Sequence, residues 1–293
     1  MPKICPYCLG KREEGAVQFV RYGFFLRTSD GRSVQRFRCQ SCRHTFSQAT
    51  SHSWFRQKKR MKNHYVKTLL ASNVSMRRTA RILNLNRKTV TRKLRSLGFE
   101  AERWIQRSNQ RVYREQKCST LEFDDLETIE HTKCKPLSIT LAVEHQTRRI
   151  LGVEVARMPA KGLLVEKSLR KYGPRADDRA ARREALFQRI QEYVDPKATI
   201  KSDENPHYVA TVRSYFPEAR HLRYEGKRGA NTGQGELKKV KFDPLFSLNH
   251  TCAMYRANTA RLIRKTWCTT KRPEHLRAHL YIYAQYHNQH LTA

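Results

Sequence analysis

The sequence predicts a multidomain chain, in which a small β-hairpin domain and an all-α domain precede a larger α/β domain with a mixed sheet. Paired cysteines bracket a strand-rich segment, and the chain then changes to a helical period. Farther on, short apolar strands alternate with helical segments, which is typical of an α/β domain. We place the domains at 1–50, 51–100 and 118–293, with a linker at 101–117.

The chain is strongly basic, with 293 residues and a formal net charge of +33. Residues 1–117 hold 28 Lys and Arg against 6 Asp and Glu, so most of the excess lies in the first two domains. A charge of this size favours a polyanionic partner, and nucleic acid is the first candidate. No apolar run of about 20 residues and no signal-like start is present, so we expect a soluble intracellular protein.

Two Cys-x-x-Cys pairs stand about thirty residues apart. Each such turn directs two sulfurs at one centre, and four thiolates suit a tetrahedral zinc ion with no open position, which predicts a structural metal. A Ser-Asp-Gly turn stands between two segments rich in Val, Phe and Tyr, at 16–26 and 33–38. This pattern predicts a β-hairpin between the cysteine pairs, so that the first domain is a zinc ribbon. The alternative is two disulfides or unrelated cysteines. The predicted ligands are Cys5, Cys8, Cys39 and Cys42.

Residues 56–98 show the pattern of a helix-turn-helix. Ser75 and Asn86 are placed to cap the two helices that follow a first apolar stripe, and Gly98 is placed to end the last one. The side chains expected to face inward are Tyr65, Leu69, Leu70, Thr79, Ala80, Leu83, Val90, Leu94 and Leu97.

The last helix of this motif has a basic start and a basic outer face. Side chains at these positions reach base edges and phosphates in a major groove. The alternative is a solvated basic face on an ordinary helical hairpin. The predicted DNA contacts are Arg87, Lys88, Thr89, Arg92 and Lys93.

Beyond residue 117, three strands, a helix, a strand, a helix, a strand and a closing helix follow one another, which is the order of the ribonuclease-H fold. The strands are predicted at 118–123, 137–143, 150–156, 198–201 and 220–224, and the helices at 161–193, 206–216 and 244–266.

The chemistry of that fold needs acids at fixed places, one on the first strand and one at the end of the fourth. Asp124 and Asp203 fit these places, and together they predict a site for two divalent ions, Mg²⁺ or Mn²⁺. Strand alternation puts Glu122 on the same face as Asp124 and turns Asp125 away, which favours Asp124. Taken singly, each aspartate also fits an exposed turn residue.

The closing helix supplies no acid at the expected third place. It carries Asn249, whose amide oxygen can bind a hard cation without adding charge. His250 and Glu236 are the alternatives for this third position.

With these residues in hand, the chain resembles the small bacterial DDE insertion-sequence transposases that join a zinc ribbon, a helix-turn-helix and a ribonuclease-H-like domain, and among them the IS-one type. The resemblance covers nearly the whole chain. Besides the cysteine pairs, it rests on Glu122-Phe-Asp124-Asp125, on Ser202-Asp203-Glu-Asn-Pro-His-Tyr208, and on Arg261-Leu-Ile-Arg-Lys-Thr266 before Lys271.

The resemblance implies DNA cleavage at the terminal inverted repeats and strand transfer by a 3′-hydroxyl, in a dimer or larger assembly on DNA in the bacterial cytoplasm. The family has catalytic aspartates at Asp124 and Asp203, and a glutamate where this chain has Asn249. Related zinc-ribbon transposases carry asparagine at that place. The departure leaves a second hypothesis, a non-catalytic DNA-binding regulator. The further phosphate contacts expected near the closing helix are Arg256, Arg261, Arg264 and Lys265.

Overall fold

The computed structural model of this chain describes residues 5–8, 19–28, 31–51, 54–55, 57–225, 243–263 and 268–292. The chain divides into two compact units, Met1–His64 and Tyr65–Ala293. Among the helices within the described ranges, none combines the length and the apolar character needed to cross a membrane.

The first unit contains an antiparallel sheet of three strands in the order β1-β2-β3. The first two form the predicted hairpin, and Gly31 takes a positive φ of 65° in its turn. A small core of aromatic rings and cysteines lies at the base of the hairpin, where Phe37 and Phe46 are buried. The strands are β1 (Phe19–Arg27), β2 (Arg32–Cys39) and β3 (Thr45–Ser47).

The helix-turn-helix is formed by α1 (Asn63–Ala71), α2 (Met76–Ile82) and α3 (Arg87–Val112). Both predicted caps are confirmed. The Ser75 hydroxyl accepts a hydrogen bond from the backbone N–H of Arg78 at 3.3 Å, and the Asn86 side chain accepts one from Lys88 at 2.8 Å. These caps satisfy N–H groups that have no partner within their own helix.

Two details of this motif differ from the sequence-based expectation. Tyr65 is 58% exposed, and the buried face of α1 is formed by Val66 and Leu70. Helix α3 does not end at Gly98 but runs on to Val112, so that residues 101–112, predicted to be a linker, are helical.

Gly98 lies inside α3 because it is a point of close approach and not a helix end. The last helix, α8 (Pro273–His290), crosses α3 there and was not predicted. A Cβ atom built on Gly98 would meet the Ala278 Cβ at 2.4 Å. Glycine is the only residue that lets the two backbones approach this closely. The packing between the helices outweighs the low helix propensity of glycine.

The larger unit is built on a five-stranded mixed sheet in the order β6-β5-β4-β7-β8. The first three strands in the chain form an antiparallel meander, and β7 and β8 join it in parallel with β4. The strands are β4 (Cys118–Glu130), β5 (Thr132–Glu144), β6 (Ile150–Arg157), β7 (Val194–Asp203) and β8 (Arg220–Tyr224).

Between and after these strands the described residues form four helices where three were predicted, and two of the three predictions need correction. The segment predicted as helical over 161–193 is broken at Gly173, whose φ of 72° ends the first helix. The closing helix ends at Asn258 because Thr259 takes an extended conformation. The helices are α4 (Val165–Tyr172), α5 (Arg179–Ile190), α6 (Pro206–Tyr215) and α7 (Phe246–Asn258).

Both faces of the large sheet are covered. Helices α5 and α6 pack on one face, where Phe123 and Phe187 are fully buried. Apolar residues of α3, α7 and α8 pack on the other face, against alternate residues of β5 such as Ile139 and Leu141. The helix-turn-helix and the sheet therefore share one continuous hydrophobic core.

Ion pairs fix α3 to the same core. Arg277 of α8 donates to Glu102 of α3 at 2.7 Å and to Glu154 of β6 at 2.9 Å. Arg189 of α5 binds the same two carboxylates. Near the end of α3, the Asn109 amide donates to the Leu151 carbonyl oxygen at 2.9 Å. The helix that begins in the helix-turn-helix is thus held along its length by the larger domain.

The Gly98 contact can be tested by Gly98→Ala. In an exposed helix this change would raise the free energy of unfolding of the protein by about 1 kcal/mol. Here we expect it to lower the free energy of unfolding by about 1–3 kcal/mol, because the new methyl group overlaps Ala278. Urea denaturation measures the change, with Arg95→Ala on the exposed side of α3 as the control. Adding Ala278→Gly should restore part of the loss, and a stabilising Gly98→Ala would refute the close contact.

Candidate functional site

The two predicted acids lie on neighbouring parallel strands at the centre of the sheet. Glu122 of β4 is in register with Lys201 of β7, and Asp124 and Asp203 stand two residues farther along their strands. A step of two residues keeps a side chain on the same face. The parallel pairing therefore brings the two aspartates side by side at the end of β7.

The electrostatics of Asp124 reflect this arrangement. Burial, reinforced by the negative charge of Asp203, raises the pKa of Asp124 to about 7. Two hydrogen bonds to its Oδ1 act in the opposite direction, from the Asp125 backbone N–H at 2.6 Å and the Tyr208 hydroxyl at 3.0 Å. Two carboxylates that repel each other in a half-buried position suit a divalent cation, which neutralises both.

Asp125 faces the opposite side of the sheet, as the strand alternation predicts. Its Oδ1 accepts a hydrogen bond from the Thr140 hydroxyl at 2.5 Å, and its Oδ2 lies 4.0 Å from the buried Arg183 guanidinium of α5. Asp125 is thus engaged in the packing of α5 and is turned away from Asp203.

Helix α7 presents one of its faces to the acids. Its first turn is bonded to Glu122, which shares a strand face with Asp124. Burial, followed by the charge of Asp124, raises the pKa of Cys252 to about 12. Asn249 lies one turn before Cys252, and Arg256 one turn after it. Asn249 is exposed, and its amide nitrogen donates to the Asp243 Oδ2 at 2.8 Å, leaving its carbonyl oxygen for a ligand.

The alternatives for the third position have different surroundings. His250 lies next to Arg148, whose guanidinium is 3.2 Å from the His250 Nδ1, and burial followed by the Arg148 charge lowers the pKa of this histidine. His250 therefore contacts the turn between β5 and β6. Glu236 lies outside the described residues.

Glu122 is fully buried beneath the acids and binds the start of α7. Its Oε2 accepts a hydrogen bond from the Leu248 backbone N–H at 2.8 Å. Leu248 is in the first turn of α7, where N–H groups lack a partner within the helix, and Leu245, at the N-cap, provides no side-chain acceptor. A carboxylate of β4 thus caps α7 and also meets the positive end of its dipole.

The other oxygen of Glu122 accepts a hydrogen bond from the His145 Nδ1, and the Lys201 ammonium donates to the His145 Nε2 at 3.3 Å. The sequence indicated only that Glu122 shares a face with Asp124. Its partners, His145 in the turn after β5 and Leu248 in α7, are distant in the chain, so no local pattern indicates its structural role.

The four cysteines of the first unit form a compact group. Their sulfurs all lie within 4.8 Å of one another, and the Cys5–Cys42 and Cys8–Cys39 pairs are 3.6 Å and 3.8 Å apart. These separations are too long for disulfides. They match the edge of about 3.8 Å expected for four sulfurs at 2.3 Å from one zinc ion.

The thiol chemistry of this group also suits a metal. The backbone N–H of Cys42 is the main cause that lowers the pKa of Cys39 to about 6. Against a backbone hydrogen bond of His44, burial and the neighbouring sulfurs raise the pKa of Cys42 to about 12, so a cation is needed to hold all four as thiolates. All four thiols are free of disulfides, and the pairs are held by the hairpin, since the Cys39 N–H donates to the His44 carbonyl oxygen at 3.0 Å. The residues present therefore fit a tetrahedral zinc ion.

The predicted DNA-contacting residues fall into two groups. Arg87, Lys88 and Arg92 are exposed at the start of α3, with Thr89 half-buried beside them. Arg256 is exposed on α7. These five are open to a polyanion.

Two other predicted contacts are buried, and Arg264 and Lys265 lie outside the described residues. Lys93 is 2% exposed, because it falls on the inward face of α3 with Val90 and Leu97, and burial lowers its pKa. Arg261 lies beyond the end of α7, where its guanidinium donates to the Met76 sulfur at 3.4 Å and burial lowers its pKa to about 10. The outward placement predicted for Lys93 and the helical placement predicted for Arg261 are therefore wrong.

Comparison with known proteins does not identify a family for this chain. No protein-family model and no curated protein matches the chain. Solved structures that match include a chain in the crystal structure of the Mos1 Strand Transfer Complex, at 13% identity over 80% of this chain and 79% of that one, with a TM-score of 0.24. A TM-score this low does not establish a shared fold, so the case for function rests on the residues of this chain.

The capping role of Glu122 predicts a graded response to substitution. Glu122→Ala leaves the Leu248 N–H without a partner in a buried position, and we expect a loss of about 1–3 kcal/mol in the free energy of unfolding. Glu122→Gln keeps an acceptor oxygen and should lose less. Urea denaturation measures both, and Glu127→Ala on the exposed part of β4 is the control. Equal effects of Ala and Gln would show that the acceptor oxygen is not what matters.

The raised pKa of Asp124 predicts a pH dependence of cation binding. Below about pH 7 a divalent cation must displace one proton from the pair, so the Mn²⁺ affinity should rise about tenfold per pH unit and level off above that pH. Tyr208→Phe removes a hydrogen bond that lowers this pKa, which should move the plateau to higher pH. Calorimetric Mn²⁺ titrations measure the profile. An affinity that does not change across pH 7 would contradict the assignment.

Proposed function

We propose that this chain is a DNA transposase of an insertion sequence, which binds terminal inverted repeats and carries out metal-dependent strand cleavage and 3′-hydroxyl strand transfer. The observation that carries the proposal is the pair Asp124 and Asp203 on adjacent parallel strands, facing the closing helix of a unit that also contains a basic helix-turn-helix. Paired carboxylates in this position can hold the metal ions that catalyse the cleavage and transfer of phosphodiester bonds.

The strand order supports a ribonuclease-H-like domain. In this proposal the central strand β4 and its parallel neighbour β7 bear the two acids, and the antiparallel strands β5 and β6 extend the sheet on the other side. Helix α7 closes the site over the same edge, and Glu122 holds its first turn.

Asp124 and Asp203 would hold two Mg²⁺ or Mn²⁺ ions, with the Asn249 carbonyl oxygen as a third, uncharged ligand. When bound, such ions activate the attacking oxygen and stabilise the leaving oxygen. Asp124 gives up its proton to take part, Tyr208 orients its carboxylate, and Glu122 keeps α7 at a fixed distance from it. Zinc at the four cysteines is structural in this proposal.

The DNA would be held by polar and cationic side chains at the start of α3 and on α7. Arg87, Lys88, Thr89 and Arg92 are proposed to contact the terminal repeats, and Arg256 the phosphates near the scissile bond. Lys93 and Arg261 are not included, because they are buried. The proposal further includes a homodimer or larger assembly on double-stranded DNA, in the cytoplasm of a bacterial cell.

The continuity of α3 gives this proposal a geometric consequence. Its 26 residues span about 39 Å as one helix, from the predicted base-reading end to the edge strand β6 of the large sheet. A helix fixed by Gly98 and by the ion pairs of Glu102 has no hinge between these ends. The proposal therefore implies a constant distance along the DNA between the bound sequence and the bond that is cut.

The decisive experiment uses DNA that carries the sequences flanking the coding region, with Mn²⁺ or Mg²⁺. We expect end cleavage that needs the metal, and a loss of about 100-fold or more for Asp124→Asn and Asp203→Asn. Asp125→Asn is the matched control, because that carboxylate faces α5, and it should keep most of the activity. Full activity in Asp124→Asn and Asp203→Asn would refute the proposed site.

The second candidate is a non-catalytic DNA-binding regulator derived from such a protein. The observation that favours it is Asn249, an uncharged residue whose amide is already bonded to Asp243. Cation binding separates the two functions. If the chain binds the repeats but no divalent cation at millimolar concentration, the regulator is favoured.

A further inference from the structure

The hairpin of the first unit exposes apolar side chains that its core does not use. Strand β1 stands at the edge of its sheet, and most of its length is exposed. The exposed apolar residues on it are Val20, Tyr22, Phe24, Phe25 and Leu26. Exposed aromatic residues at this density on a short strand indicate a contact surface.

The strand register assigns these residues to two faces. Phe24 lies opposite Gln35, two residues from the buried Phe37, so Phe24 is on the core side. Phe25 lies opposite Val34, on the other side. Directly opposed residues of an antiparallel pair share a face, and alternate residues of one strand do too.

Tyr22 belongs to the same side as Phe25. A bulge at Gly23, with a φ of 63°, separates it from Phe24 and reverses the alternation. The guanidinium groups of Arg36 and Arg38 lie 5.7 Å and 5.2 Å from the centre of the Tyr22 ring. We call Val20, Tyr22, Phe25, Val34, Arg36 and Arg38 the outer face of the hairpin.

The outer face is both aromatic and cationic. Tyr22 is 43% exposed beside Arg36 and Arg38, and Phe25, on the same face, is 38% exposed opposite Val34. The described residues 19–28 and 31–39 include five arginines and no carboxylate. Charge complementarity therefore favours a polyanion and disfavours a second copy of the same hairpin, which would bring like charges together.

The aromatic rings narrow the class of polyanion. Phosphates alone would need only the arginines, and the bases of an intact duplex already stack on one another. Unpaired bases offer free ring faces, and proteins bind them with exposed aromatic side chains next to cations. The guanidinium groups beside Tyr22 fit this pattern, since each can contact a ring and a phosphate.

We infer that the outer face of the hairpin binds single-stranded DNA, with unpaired bases stacked on Tyr22 and Phe25 and phosphates held by Arg36 and Arg38. This activity lies beyond the proposed function, since it requires neither the aspartates nor the helix-turn-helix. A catalytically inactive chain would bind single-stranded DNA equally well.

The test measures the affinity of the full, zinc-loaded chain for a fluorescein-labelled oligothymidylate of about twelve nucleotides, by fluorescence anisotropy. Tyr22→Ala and Phe25→Ala should each weaken binding about tenfold, because each removes one stacked base. Tyr22→Phe keeps the ring and should bind as the native chain does. Arg36→Gln should lower the slope of log affinity against log salt by about 0.7, whereas Tyr22→Ala should leave it unchanged.

Phe24→Ala is the matched control, an aromatic residue of the same strand that is 65% exposed on the core side. It should change the affinity less than twofold, and the zinc content of each variant verifies that the unit is folded. An unchanged affinity in both Tyr22→Ala and Phe25→Ala would overturn the inference. Two other results would also overturn the inference. One is an equal loss of affinity in Phe24→Ala. The other is a loss of self-association of the chain in Tyr22→Ala and Phe25→Ala while their affinity for DNA is unchanged.

Discussion

The parallel pairing of β4 with β7 is the constraint on which the rest of the larger unit depends. Parallel neighbours need a crossover, which α4 and α5 provide, and the pairing fixes which residues of the two strands stand side by side. Asp124 and Asp203 meet for this reason, although 78 residues separate them in the chain. Burial, and then the nearby charge of Asp203, disfavours the ionised form of Asp124 and raises its pKa to about 7.

The same strand pair positions the closing helix. Glu122 and Lys201 are in register below the aspartates, and Glu122 extends from the sheet to the first turn of α7. A buried carboxylate is costly unless its oxygens are satisfied, and here both are, by Leu248 and by His145. The group that caps α7 is therefore part of the strand that carries Asp124, so one strand positions both the helix and the acid.

Helix α3 extends this coupling to the helix-turn-helix. Sequence patterns suggest a separate motif followed by a polar connector, but the structure has one helix that ends against β6. The close approach at Gly98 and the ion pairs of Glu102 leave no hinge in it. Recognition and chemistry, in the proposed function, would thus share a single rigid element, while the cysteine-rich hairpin forms a unit of its own.

The sequence by itself determined the features that depend on local spacing. The two Cys-x-x-Cys turns, the caps at Ser75 and Asn86 and the strand at Arg220–Tyr224 follow from neighbouring residues, because each is fixed within a few positions of the chain. The order of strands and helices also sufficed to select Asp124 and Asp203 as candidates.

Only the tertiary structure decided what depends on distant partners. Gly98 has the sequence signature of a helix end, yet Ala278 makes it a crossing point. Arg261 looks like a surface cation, yet it is buried where its guanidinium donates to the sulfur of Met76, 185 residues earlier in the chain. The roles of Glu122 and of the outer face of the hairpin likewise follow from register and packing, because burial is a property of the folded chain and not of any one segment.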